Sequence, residues 1–267
     1  MNGLAPDVAR EIALEAARLA GARVLEGWGR VGAVRTKSLA TDLLTEWDLA
    51  SERVIAEVLA RRAPQVPILA EEGGASGGAD LTAGRFIVDP IDGTVNFVHG
   101  LPLFTVSVGY EHDGRVVAGV VLAPALGWEF SAARGAGATM NGVPLAVSGA
   151  DSLAQSMLAT GFPYDRAISP KNNFREFDHL QRVAGAVRRL GSASLDLCLV
   201  ARGWYDGYWE YKLSPWDVAA GAVIVEEAGG RVTSIDGGPF AAASGEAVAT
   251  NGRIHDELVA ALAATPR

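Results

Sequence analysis

Two short apolar runs that each end on carboxylates constrain this chain more than any other feature. Residues 66–70 stop at Glu71-Glu72, and residues 85–88 stop at Asp89-Pro90-Ile91-Asp92-Gly93-Thr94. Apolar runs of this length read as buried strands, and in an open α/β sheet ligands gather beyond the carboxyl ends of strands. Pro90 and Gly93 favour a turn, so Asp89 and Asp92 can converge on one point from a bent backbone. Two anions held that close call for a cation. Mg2+ takes about six oxygen ligands and keeps several waters, so two or three carboxylates with a main-chain carbonyl, here Ile91, leave room for a phosphate. The amides of Gly93 and Thr94 are then placed to face phosphate oxygens. The same segment also reads as a plain surface turn, and Glu71-Glu72 as an exposed acidic pair.

The bulk numbers narrow the field. The 267 residues are 49% hydrophobic and 20% charged, enough to bury a sizeable core. The formal net charge of −8, with no Lys/Arg block, argues against a nucleic acid partner. An acidic protein that handles phosphate must bring positive charge in locally, and metal ions do this. Charges throughout residues 1–30 leave no signal peptide or membrane span there, so a cytoplasmic location is expected. Cys198 is the sole cysteine and reads as a packing residue. His99, His112, His179 and His255 show no metal-ligand spacing.

The remaining pattern predicts alternating helices and strands. Val8, Ile12, Ala16 and Leu19 predict a helix over 5–27. Trp47, Ala50, Val54 and Val58 predict a second helix from Thr45 to before Pro64. Residues 73–84 read as a mobile Gly-rich loop, and 104–123 as a hairpin turning at Asp113-Gly114, with short strands continuing to Val147. Polar sequence follows the Gly161-Phe162-Pro163 turn, leading to a helix over 192–202 and an aromatic strand over 204–211. Ser214-Pro215-Trp216-Asp217 opens a helix that runs to Ala228. A strand over 232–235 and a helix over 255–264 finish a chain expected to be one catalytic domain, 1–267. Trp47, Trp204, Trp209 and Trp216 read as packing aromatics, with Trp209 at the border of the pocket.

Two further acids are ambiguous by spacing alone. Asp217, third in its helix, serves as the acidic half of a capping box with Ser214, as a metal ligand, or as both. Thr45 and Asp48 have the same capping spacing, and Asp48 equally suits the orientation of a reacting group.

Taken together, the segments Asp42-Leu43-Leu44-Thr45-Glu46-Trp47-Asp48, Glu71-Glu72, Asp89 to Phe97, Trp216 to Gly221 and Glu227 to Gly230 resemble the inositol monophosphatase family in order and spacing. The resemblance implies an α/β (α+β) fold, a layered α-β-α-β-α sandwich. It also implies two or three Mg2+ ions, sensitivity to Li+, and a homodimer. Carried over by position, Glu71, Asp89 and the Ile91 carbonyl hold one metal, and Asp89, Asp92 and Asp217 hold another. Thr94 and Asp48, with Glu71, match the group that activates water. Asp92, Gly93, Thr94 and Asp217 match contacts to the substrate phosphate and its surroundings, while Ser192, Ala193 and Glu210 match the pocket for the alcohol. Lys37 matches a mobile-loop lysine. Ala70, Ser192 and Ser214 depart from the pattern of the animal enzymes, where Gly, Thr and His are familiar, which leaves the alcohol open.

The expected reaction is hydrolysis of inositol 1-phosphate by a metal-activated water. Histidinol phosphate, fructose 1,6-bisphosphate and nucleotide 3'-phosphates are alternative substrates of the same chemistry. A non-catalytic role, binding a partner in the transcription machinery, is the reading from another class. Gly74-Ala75-Ser76-Gly77-Gly78 spells a serine hydrolase elbow but lacks the following helix that motif needs.

Overall fold

The computed structural model describes residues 3–37, 39, 41–76 and 84–265. Its centre is an eight-stranded mixed sheet. The strands are β3 (Ile68–Ala70), β4 (Gly74–Ser76), β5 (Arg85–Asp92), β6 (Thr105–His112), β7 (Arg115–Ala123), β8 (Trp128–Ala133), β9 (Gly137–Met140) and β10 (Val143–Pro144), in spatial order β10-β9-β8-β7-β6-β5-β3-β4. A small hairpin, β1 (Val34–Thr36) with β2 (Leu43–Thr45), stands apart from it.

Alternation along these strands produces two buried faces. Phe86 and Val88 of β5, with Val106 and Val108 of β6, pack on α1 (Pro6–Gly27) and α2 (Glu46–Arg62), while Ile87 points the other way. The predicted α1 forms, but its core face differs from expectation. Ala9, Ile12, Ala13, Ala16, Ala17, Ala20 and Val24 are buried, whereas Val8 and Leu19 are exposed. A stripe of alanines lets the helix lie close to the sheet, and close packing outweighs the larger side chains. In α2 the predicted Val58 is buried together with Asp48, Ser51, Ile55 and Leu59, and Trp47 and Val54 are half-buried against the same core. The hairpin turn is as read, with Asp113 and Gly114 both at positive φ.

Beyond the sheet lie α5 (Ala193–Ala201) and α6 (Pro215–Glu227), then a five-stranded sheet ordered β12-β11-β13-β15-β14. These strands are β11 (Met157–Thr160), β12 (Ala186–Arg188), β13 (Gly207–Tyr211), β14 (Arg231–Thr233) and β15 (Glu246–Thr250). Its far face carries α4 (Phe174–Val183) and α7 (His255–Ala263) over a core of Leu158, Leu180, Trp209, Val248 and Leu258. The result is the α-β-α-β-α layering expected.

Three readings change. Gly74–Ser76 is a strand paired with β3, and the rest of the predicted loop, 77–83, lies outside the described residues together with Gly77 and Gly78 of the elbow spelling. The polar stretch after Gly161 contains α4, whose single fully buried residue is Leu180. Trp209 is fully buried and donates to Asn173 Oδ1 at 2.7 Å instead of bordering a pocket. Among the described residues no helix is long and apolar enough to cross a membrane. Cys198 is buried in the core, as read. His255 is buried between Thr233 and Thr250, and burial pushes it down to about 4, so it is a neutral structural bridge.

Candidate active site

Strand register delivers the first two carboxylates to one place. β3 and β5 run parallel with Ala70 beside Val88, so the next residues, Glu71 just past the end of β3 and Asp89 still within β5, come side by side, and the Glu71 amide donates to the Val88 carbonyl at 3.2 Å. Asp92 would ordinarily point to the opposite face, three residues on. A register shift between Asp89 and Asp92 against β6 supplies the extra residue that turns it back.

Asp217 arrives from a different layer. The α6 backbone presses against β6 and β7 where Gly109 and Gly119 pair, and a Cβ on Gly119 would lie only 2.6 Å from the Ala220 carbonyl. Glycine is required there by the approach of the helix. Ser107, the cross-strand neighbour of Asp89, donates to the Trp216 carbonyl at 3.2 Å and fixes the first turn of α6. Asp217 Oδ2 accepts the Ser214 amide at 2.7 Å, so the capping role is real.

Glu71, Asp89, Asp92 and Asp217 thus line a single cavity of about 270 Å3 with Lys37, Ile91, Gly93, Thr94, Ser192, Ala193 and Glu210. Asp48 lies just behind it, fully buried. Its Oδ2 accepts the Thr45 amide at 2.7 Å and the Thr45 hydroxyl at 2.6 Å, and its Oδ1 lies 3.1 Å from Thr94 Oγ1. Every predicted site residue is therefore in the cavity or touching a residue that is.

The electrostatics are those of crowded acids. Burial pushes Asp89 well above the usual carboxylate range, and Glu71, Asp92 and Asp217 push it further. Burial raises Asp217, reinforced by Asp92 and Glu71. Asp92 is raised by burial against hydrogen bonds to its Oδ2 from Ser192 Oγ (2.8 Å), Ser194 N (2.8 Å) and Ser194 Oγ (2.6 Å). Glu71 is raised to about 7, burial outweighing the Lys37 ammonium at 2.7 Å. Lys37 also reaches Glu72 Oε1 at 2.5 Å; burial opposes its charge, yet the two glutamates hold its pKa above the ordinary lysine value.

Among the described residues no three His, Cys, Asp or Glu side chains are drawn together tightly enough to hold a cation as they stand. The donor set nevertheless fits a hard cation. It offers carboxylate oxygens and the Ile91 carbonyl, without thiolate or imidazole. Several oxygens are meanwhile engaged by protein donors, among them Asp89 Oδ1 by the Ile91 amide at 3.0 Å.

The family model for the inositol monophosphatase family matches residues 6–266. The chain belongs to that family. It is 47% identical over 257 residues to the inositol-1-monophosphatase of Synechocystis, covering 96% of this chain and 89% of that one. It is 42% identical over 255 residues to the Nus factor SuhB of Pseudomonas aeruginosa, with 93% of each covered. Among solved structures, the inositol monophosphatase from Anabaena superposes with a TM-score of 0.88 at 44% identity, over 96% of both chains. The chain is a phosphoric monoester hydrolase of the inositol monophosphatase family.

Residues that sequence reasoning passed over also line the cavity, notably Asp42, Tyr164, Arg189 and Asp196. Asp42 stood inside a recognised segment. Asp196 was detectable only by its i+4 spacing from Ser192 on a helix, a weak signal. Tyr164 and Arg189 come from loops, which carry no periodicity.

Proposed function

We propose that this chain hydrolyses the phosphate monoester of a polyhydroxylated alcohol, inositol 1-phosphate first among them, with Mg2+ held by Glu71, Asp89, Asp92, Asp217 and the Ile91 carbonyl. The observation that carries the reading is the convergence of those four carboxylates on one cavity beside the paired Thr94 and Asp48. Bound Mg2+ supplies charge neutralisation for the phosphoryl group and lowers the pKa of water.

The chain's own groups do the rest. Thr94 Oγ1 has one proton, which it gives to Ile91 O (3.0 Å) or to Asp48 Oδ1 (3.1 Å), leaving its lone pairs to accept from a water in the cavity. Asp48 is anchored by two donors from Thr45, so it keeps its orientation while taking that proton density. Glu71, raised to about 7, is suited to accept a proton near neutral pH. In this reading Gly93 and Thr94 serve the phosphate end, and Ser192, Ala193 and Glu210, which line the same cavity, serve the alcohol.

Phosphate release from inositol 1-phosphate, histidinol phosphate, fructose 1,6-bisphosphate and a nucleotide 3'-phosphate, each with Mg2+ or EDTA, tests the reading. Mg2+-dependent release fastest on inositol 1-phosphate is expected. A second reading, that the chain binds a protein partner, is favoured by the name Nus factor SuhB among its relatives. Absence of hydrolysis on every ester in Mg2+ would transfer weight to it.

A further inference from the structure

Beside the acidic cavity lies a second hollow of opposite character. The inner one is walled by the four acids together with Asp42, Asp196 and Glu210. The outer one, of about 570 Å3, has no Asp or Glu among the described residues that line it, and it carries Arg166 and Arg189 instead. The two adjoin through Phe162, Tyr164 and Arg189, which line both. A substrate seated at the inner acids that reaches past Arg189 therefore enters the outer hollow.

The local structure leaves the Arg189 charge unspent. β12 ends at Arg188, and the chain turns at Gly191, with φ +90°, to start α5. Asn96 Nδ2 holds that turn by donating to the Leu103 carbonyl at 2.7 Å and the Leu190 carbonyl at 2.9 Å. The guanidinium folds back over the bare glycine, where a Cβ would lie 2.7 Å from Nη1. The other cations of the inner cavity are already engaged: Lys37 by Glu71 and Glu72, and Lys212 by Asp165 Oδ2 at 2.7 Å and Ser169 Oγ at 2.5 Å. Arg189 makes no hydrogen bond or ion pair with any described residue. Arg166 gives one N–H to the Pro163 carbonyl at 3.3 Å and pairs with no described acid. Two guanidinium groups are thus free to take an anion, and their fork of donors matches a phosphate.

We propose that the outer hollow is a subsite for a second phosphate, held by Arg189 with Arg166 beside it, so that this chain favours sugar or polyol bisphosphates over the matching monophosphates. The inference rests on the phosphatase reading of the inner cavity and adds a class of ester to it. A contact remote from the phosphorus under attack binds ground state and transition state alike, so the preference falls on KM and not on kcat.

The test measures KM and kcat in Mg2+ on fructose 1,6-bisphosphate and fructose 1-phosphate, which differ only in the second phosphate. The parent is expected to show a KM about tenfold lower for the bisphosphate, with the two kcat values within about twofold. Arg189 is exposed, so substitution there spares the core. Arg189→Met is expected to raise the bisphosphate KM about tenfold and erase the difference, and Arg189→Lys to leave about threefold of it, because an ammonium keeps the charge without the fork. Equal KM for the two esters in the parent, a bisphosphate advantage that survives Arg189→Met, or a loss of equal size on both esters would each overturn the proposal. Where neither fructose ester turns over, calorimetric titration of both in Mg2+ decides. A bisphosphate bound about tenfold more tightly, with the advantage lost in Arg189→Met, supports the subsite, and no binding or equal binding overturns it. If inositol 1-phosphate is not hydrolysed either, the phosphatase reading fails by itself, and the same titration still decides this one.

Discussion

Thr94 Oγ1 lies 3.1 Å from Asp48 Oδ1 across 46 residues of sequence, joining the first residue of α3 (Thr94–Val98) to the first turn of α2. The contact ties a residue that also caps a helix to a side chain lining the acidic cavity. Thr94→Val removes the hydroxyl at nearly constant volume, so kcat on inositol 1-phosphate should fall on the order of 10²-fold, with a thermal midpoint close to the parent's. Steady-state kinetics beside a melting curve check both halves. Unchanged kcat would remove Thr94 from the water-orienting role.

Asp89 is the most crowded acid, hemmed by Glu71, Asp92 and Asp217. Asp89→Asn keeps the shape and removes the charge, so Mg2+-dependent turnover should fall by roughly 10³-fold or more while the fold is retained. Circular dichroism and phosphate release on the same preparation are the measurements. Near-parent hydrolysis would end the metal-carboxylate scheme.

The raised acids make stability depend on pH in a defined direction. Glu71 and Glu210 both titrate near 7 in the folded protein, burial being the largest cause, against an ordinary value of 4.5. Between those values the folded state keeps protons that the unfolded chain has released. The stability these two groups contribute is therefore fullest below 4.5 and is lost as pH rises through about 7. Melting in EDTA should occur at lower temperature at pH 8 than at pH 5, and Mg2+ should raise the midpoint more at pH 8. A midpoint in EDTA that rises over this interval would contradict the assignment.

Gly119→Ala tests how closely α6 must approach. The added Cβ would meet the Ala220 backbone, which cannot swing aside as a side chain can. A loss of about 1–3 kcal/mol is expected from overpacking, together with reduced kcat because Asp217 rides on the same helix. Urea unfolding and steady-state kinetics report the two effects. A fully stable, fully active variant would mean that the helix has slack.

The local facts were legible in the chain. Apolar runs ending in acids, the Asp113-Gly114 turn, and the Ser214-Pro215 helix start depend on near neighbours and on backbone preferences, which a sequence carries directly. The recognised segments extended that to the fold and to the four carboxylates. Periodicity placed Ile12, Ala16 and Val58 in the core and Trp47 and Val54 against it, but it misplaced Val8 and Leu19 and passed over Asp48 and Ser51, because it ranks side chains by size and polarity, whereas close sheet packing selected the alanines of α1 and buried two polar residues of α2.

What the tertiary structure decided is the set of meetings between distant segments. The parallel register of β3 with β5 puts Glu71 beside Asp89, the irregular pairing with β6 turns Asp92 inward, and glycines at the α6 contact bring Asp217 up to them. The chain by itself determined which acids exist and which local turns and caps present them. Their spacing, burial and shifted proton affinities arise only when separate layers pack, because desolvation and Coulomb interaction depend on distances that no local pattern encodes.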